Sequence, residues 1–117
     1  MMYEYSATVE RVVDGDTVDL DIDLGLDVHV HERCRLYGIN APEMKGESRE
    51  AGMAAWKWLV GRIVEERDMP AHKLAIRTIK DKKGKYGRYL AVLYVDGVFN
   101  VNEEMVEAGH AAEYMRE

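Results

Sequence analysis

Residues 9–25 read VERVVDGDTVDLDIDLG, and this stretch decides the fold. Val9, Val12 and Val13 lead into Asp14-Gly15-Asp16, after which Val18, Leu20, Ile22 and Leu24 interleave with Asp19, Asp21 and Asp23. A period of two puts the apolar set on one face of a strand and the carboxylates on the other, so an Asp-Gly turn between two such runs reads as a hairpin. Gly25 supplies the next turn, and Val28, Val30, Cys34, Leu36 and Ile39 make a third strand. Glu32 breaks the apolar phase of that strand, so a bulge or bend is expected there. Three antiparallel strands come first.

From Ser48 the period changes to 3.6. Ala51, Ala55, Leu59 and Ile63 fall on one row with Trp56, Val60 and Val64 beside it, which predicts an amphipathic helix capped by Ser48. The chain returns to period two through Leu74, Ile76 and Thr78, crosses Lys82-Lys83-Gly84-Lys85-Tyr86-Gly87, and continues in Tyr89 to Val95 as a second hairpin. Asp96-Gly97 is a further turn. Asn100 with Glu103 has the spacing of a capping box for a last helix through Met105 and Val106, with Gly109 as its stop. Three strands, a helix, two strands and a helix is the order of a five-stranded OB-type barrel with two main helices, mainly β within the α+β class.

The 117 residues fit one domain over 1–117, and 47% apolar with 32% charged residues is a globular balance that excludes wholesale disorder. With 22 Asp and Glu against 16 Lys and Arg the net charge is −6, which argues against a basic protein that coats nucleic acid nonspecifically. The single cysteine, Cys34, has no internal disulfide partner. MMYEYS has neither the basic start nor the apolar stretch of a secretory signal, and no apolar run approaches a membrane span. A cytoplasmic protein with no membrane partner is expected.

Three segments concentrate chemistry: Val13-Asp14-Gly15-Asp16-Thr17, Arg35-Leu36-Tyr37-Gly38-Ile39-Asn40-Ala41-Pro42-Glu43, and Lys85-Tyr86-Gly87-Arg88. Their combination and order, from about Ala7 to Gly109 and including Val101-Asn102-Glu103, resemble the staphylococcal nuclease-like (thermonuclease) family. The resemblance implies a calcium-dependent phosphodiesterase on an OB barrel, acting as a monomer on single-stranded DNA or RNA to leave 3′-phosphates and 5′-hydroxyls. By position, it implies Asp16 as the direct Ca²⁺ carboxylate with Asp14 and Thr17 beside it, and Glu43 as the residue that orients the attacking water. Arg35 and Arg88 match the arginines that grip the scissile phosphate, a task suited to planar guanidinium groups. Lys85 and Tyr86 match residues that hold the terminal phosphate and the nucleotide.

This chain departs from the family pattern at several points. Asn40 stands where active members typically have Asp, which removes one negative charge from the metal cluster. The Asn40 amide oxygen and the Ala41 carbonyl can still coordinate Ca²⁺, so Asp16, Asn40 and Ala41 form the expected metal set. The segment from Glu43 to the first helix is short, Gly84 replaces an acidic residue, and the C-terminal tyrosines of the family are represented only by Tyr114, one position out of register. Asn40 also supports a rival reading, a noncatalytic OB module that binds nucleic acid or protein.

Other residues read as structure. Asp19, Asp21 and Asp23 resemble a calcium-loop rhythm, but such a loop needs glycine and glutamate where Leu24 and Val30 stand, so they are a solvated strand face. His29 and His31 share one side of a strand and read as solvated histidines rather than metal ligands. Trp56 packs on the barrel and Trp58 lies at a margin. Lys80, Lys82, Lys83 and Lys85 lead into Arg88 and would place a positive patch beside the phosphate site.

Overall fold

The computed structural model describes residues 3–65, 73–80 and 89–114. Strands β1 (Tyr3–Asp14), β2 (Thr17–Asp23), β3 (His29–Leu36) and the short β4 (Ile39–Asn40) come first. Helix α1 (Arg49–Val60) follows a 3₁₀ turn at Gly46–Ser48 and widens into a π-type turn at Gly61–Glu65. Then come β5 (Lys73–Lys80), β6 (Tyr89–Val95), β7 (Phe99–Asn100), α2 (Val101–Glu107) and β8 (Ala112–Glu113).

The long strands lie in the order β3-β2-β1-β5-β6, antiparallel at each step. Parallel pairing of Cys34–Leu36 with Tyr89–Ala91 joins the two ends. The result is the closed five-stranded OB-type barrel with two helices expected from the element order. Closure removes the sheet edges that the alternating strands would otherwise expose. Val18, Leu20 and Ile22 of β2 face inward with Leu36, Ile76 and Leu93, all buried, while Asp19 and Asp21 face out.

Two details of the strands differ from the sequence reading. The β2–β3 register runs without a shift from Thr17↔Arg35 to Asp23↔His29, so Glu32 makes no bulge. It sits in phase with Val30 and Cys34, half-buried, because among the described residues β6 pairs β3 only from Cys34 onward. The irregularities lie in β1 instead, between Val9 and Arg11 and between Val12 and Asp14. The second explains the adjacent Val12 and Val13: one extra residue restores the turn geometry after Val12 has turned into the core. The third strand also stops at Leu36, since Gly38 takes a positive φ of 78° and turns the chain before Ile39.

Helix α1 buries Gly52, Ala55 and Leu59 and reaches β1 through Trp56, whose indole N–H donates to the Val12 carbonyl at 2.8 Å. Trp58 lies at the margin against His110, with ring centroids 5.9 Å apart. Ser48 does not cap the helix. Its Oγ donates to the Glu43 carbonyl at 2.8 Å and the Lys45 carbonyl at 3.2 Å, because the preceding 3₁₀ turn aims it back at the loop. Asn100 does cap α2, its Oδ1 accepting from the Glu103 N–H at 3.0 Å. The helix ends as expected at Gly109 (φ 81°), with the His110 N–H bonded to the Met105 carbonyl and the Gly109 N–H to Val106.

One buried polar residue ties these parts together. Asn102, 2% exposed, donates from Nδ2 to the Tyr37 carbonyl at 2.9 Å and the Ala91 carbonyl at 3.0 Å, and its Oδ1 accepts from the Leu93 N–H at 3.1 Å. These bonds lock the turn after β3 to β6 and α2. The loop carrying Asn40 to Glu43 starts from that anchored turn.

Candidate functional site

The hairpin turn between β1 and β2 builds one wall of the site. Gly15 lies against Ala41 and Ala55, and a Cβ there would meet both methyl groups at 2.8 Å, so only glycine lets the turn seat so deeply. Asp14 Oδ1 accepts the Asp16 N–H at 3.0 Å, closing the turn on itself. The Asp16 carbonyl accepts the Leu36 N–H at 2.8 Å, which sets Asp16 beside Arg35. Its carboxylate accepts from the Ala41 N–H through Oδ2 at 3.0 Å and from Thr17 Oγ1 through Oδ1 at 3.2 Å.

Arg35 comes from the neighbouring strand, opposite Thr17 in register. Its Nη2 donates to Asn40 Oδ1 at 3.0 Å and, at a longer 3.4 Å, to the Ile39 carbonyl, while Asp16 Oδ2 lies 3.9 Å away. The Tyr114 ring lies 4.8 Å from the guanidinium carbon. Tyr114 is fixed because β8 pairs with β4 and the Tyr114 N–H donates to the Gly38 carbonyl at 2.8 Å. The structure thus brings Asp16, Arg35, Asn40 and Ala41 together.

Glu43 follows two residues later on an exposed loop held from both sides. Ser48 donates to its carbonyl, and the helix passes so close that a Cβ on Gly52 would overlap that carbonyl. Its side chain makes no hydrogen bond or ion pair within the described residues. Lys85, Tyr86 and Arg88 lie outside the described residues, as do Lys82, Lys83 and Gly84.

Burial raises the Asp16 carboxyl above its ordinary value, and its hydrogen bond and charge interaction with Asp14 add to the rise, against the Ala41 N–H and Arg35, which lower it. Two close acids with one indirect arginine leave negative charge uncompensated. Such a carboxylate is an oxygen donor of the kind a hard cation takes, while the neighbouring Asn40 amide oxygen already accepts from Arg35. Among the described residues no three His, Cys, Asp or Glu side chains converge as a metal cluster, so main-chain oxygens and solvent would have to complete the shell around a cation.

Among the described residues, Cys34, His29 and His31 are engaged away from this site. Burial pushes the Cys34 thiol up to about 12, so it is no nucleophile. His29 Nδ1 pairs with Asp21 at 2.8 Å and His31 Nδ1 with Glu10 at 2.9 Å, exposed contacts across the strand face. Sequence reasoning missed the stacking of Tyr114 on Arg35 and the engagement of Asn40 by the same arginine. A two-residue strand such as β8 has no periodicity to detect.

A closed OB-type barrel whose first hairpin turn sets a half-buried acid beside an arginine defines a class of small β-barrel domains that gather opposite charges at one barrel turn. Residues 33–117 match the family of staphylococcal nuclease homologues, and the chain belongs to that family. It is 30% identical over 116 residues to Endonuclease YhcR of Bacillus subtilis, covering 95% of this chain and 9% of that protein. Against the Thermonuclease of Staphylococcus intermedius it is 34% identical over 100 residues, 82% of this chain and 53% of that protein. An uncharacterized endonuclease of Escherichia coli O157:H7 is 32% identical over 109 residues, 91% of this chain and 59% of that protein. The chain thus spans about three fifths or less of the curated relatives it matches. No helix among the described residues is long and apolar enough to cross a membrane.

Proposed function

We propose that this domain is a nuclease that hydrolyses phosphodiester bonds of single-stranded DNA or RNA with Ca²⁺ as its cofactor, acting as a monomer and leaving 3′-phosphates and 5′-hydroxyls. The observation that carries this reading is the convergence of Asp16, Arg35, Asn40 and Ala41 beside the Glu43 loop in a member of a nuclease family. Nuclease-named relatives support the same class of activity.

Asp16 and the Ala41 carbonyl would hold the cation, while Asn40 Oδ1 is taken up by Arg35. Bound Ca²⁺ would supply positive charge to a phosphodiester oxygen. Arg35, with Arg88, would hold the scissile phosphate and match the charge that builds on its equatorial oxygens. Glu43 would orient the attacking water and take its proton as the new P–O bond forms and the bond to the 5′ oxygen breaks, the departing 5′ oxygen taking a proton from solvent to leave as the hydroxyl. Lys85 and Tyr86 would bind the flanking phosphate and nucleotide.

The test is cleavage of a labelled single-stranded oligonucleotide at millimolar Ca²⁺ by wild type and Glu43→Ala. We expect wild type to cut and the variant to lose about 10²- to 10⁴-fold. Inert wild type, or an unimpaired Glu43→Ala, overturns the reading. The neutral Asn40, with its oxygen engaged by Arg35, favours one alternative: a module that binds nucleic acid without turnover. Salt-dependent binding with no cleavage would identify it.

A further inference from the structure

The Arg35 guanidinium is held on several sides, and among the described residues none of the holding groups is a carboxylate in direct contact. Asn40 Oδ1 accepts from Nη2 at 3.0 Å, the Ile39 carbonyl lies at 3.4 Å, and the Tyr114 ring lies 4.8 Å from the guanidinium carbon. Asp16, the acid paired with it among the described residues, stands off at 3.9 Å. A neutral amide fixes the direction of a guanidinium without neutralising it, whereas a carboxylate would compete with an incoming phosphate for the same N–H groups. Stacking on an aromatic face likewise leaves the N–H edge free.

Both holding side chains belong to one mechanical unit. Asn40 is paired with Ala112 and Ile39 with Glu113, so the strand that carries Asn40 also seats the segment that carries Tyr114. The Tyr114 N–H to Gly38 carbonyl bond completes this strap across the turn after β3.

We propose that Asn40 and Tyr114 are positioning residues for Arg35, with the C-terminal strap as their frame, and that the amide oxygen of Asn40 serves the arginine rather than the cation. What Arg35 then grips, a phosphate, rests on the nuclease reading; the hold on Arg35 does not. Aspartate at this position would trade that releasable hold for an ion pair. The substitution that weakens the acid cluster therefore leaves a fully charged, pre-aimed arginine.

The experiment reads Arg35 directly in metal-free protein by ¹⁵N NMR of its guanidinium, assigned from the signals lost in Arg35→Lys. We expect slowed rotation and resolved terminal N–H signals in wild type, and averaged signals in Asn40→Ala. Tyr114→Leu, which keeps the main-chain strap, should show an intermediate loss. Calorimetric titration with inorganic phosphate should then give about tenfold weaker binding for Asn40→Ala, the loss of one charge-assisted hydrogen bond, and about threefold for Tyr114→Leu. Titration with Ca²⁺ alone should change by less than about twofold in Asn40→Ala. Averaged Arg35 signals already in wild type, or unchanged signals in Asn40→Ala, would overturn the proposal. So would a tenfold loss of Ca²⁺ affinity in Asn40→Ala with Arg35 still ordered, since that makes Asn40 a ligand. A wild type that binds neither phosphate nor Ca²⁺ defeats the nuclease reading, while the Arg35 signals still decide the positioning claim.

Discussion

Strands β2 and β3 carry one aspartate–arginine pair between them, Asp19 with Arg33, and the turn leading into β2 sets a second, Asp16, beside Arg35 of β3. Arg33 meets Asp19 with two bonds, Nε to Oδ1 at 2.8 Å and Nη2 to Oδ2 at 3.1 Å, on the exposed face. Those bonds hold the Asp19 carboxyl below its usual value, and each charge neutralises the other. Asp16 and Arg35 are more buried, 14% and 22% exposed against 25% and 54%, yet they stand 3.9 Å apart. The arginine turns to Asn40, and burial raises the Asp16 carboxyl. Solvent exposure and a fork-like contact satisfy the outer pair; the inner pair stands apart, and in the proposed nuclease its carboxylate would meet a cation and its guanidinium a phosphate. A salt bridge visible in sequence as Asp and Arg on paired strands can thus be a finished contact or an unfinished site, and burial with geometry decides which.

The comparison breaks most sharply at the arginines. Arg35→Ala should lower cleavage on the order of 10³-fold, as arginine loss does in other phosphoryl transfer enzymes. Arg33→Ala, measured in the same assay, should stay within about twofold. Equal losses would show that the two pairs do the same work.

Next is the frame that holds the inner pair. Asn102→Ala strands the buried Leu93 N–H, removes the bond to the part-buried Tyr37 carbonyl and leaves the Ala91 carbonyl with its bond from the Tyr37 N–H, and should destabilise the fold by about 2–4 kcal/mol in urea unfolding. A loss below about 1 kcal/mol would show that the turn after β3 is held by something else.

Smaller effects belong to the outer face. The lowered Asp19 adds stability that is present above its unfolded value, about 3.9, and is lost as pH falls through the lower folded value. Because the pair is exposed, Asp19→Ala should cost only about 0–1 kcal/mol at pH 7. The His31 value is raised by its hydrogen bond to Glu10, so its contribution is present below about 6.5 and is lost as pH rises through the folded value. An NMR titration of His31 in Glu10→Gln should bring its midpoint back toward 6.5, with no measurable change in melting temperature at neutral pH.

The barrel was legible because period two and period 3.6 report directly which faces are buried: Val18, Leu20 and Ile22 on β2, and Ala55 and Leu59 on α1, all face the core as read. Glu32 misled because polarity in the phase of a strand looks the same whether the strand bulges or its inner face is only half covered. The doubled Val12-Val13 held the true irregularity. At the site, Asp16, Arg35, Asn40 and Ala41 were legible through their local motifs and do come together. The partners of Arg35 were not, because Tyr114 lies 79 positions further along the chain and reaches the arginine only through a two-residue strand pairing. Ser48 sits at the helix start as read, but a 3₁₀ turn diverts its hydroxyl to the Glu43 loop.

The most direct test of the account sets the two aspartates side by side: cleavage of a labelled single-stranded oligonucleotide across a Ca²⁺ titration by wild type, Asp16→Asn and Asp19→Asn. The expected result is that wild type and Asp19→Asn cut with the same Ca²⁺ dependence while Asp16→Asn does not cut. Cleavage by Asp16→Asn at the wild-type Ca²⁺ requirement, or no cleavage by any of the three, would contradict it.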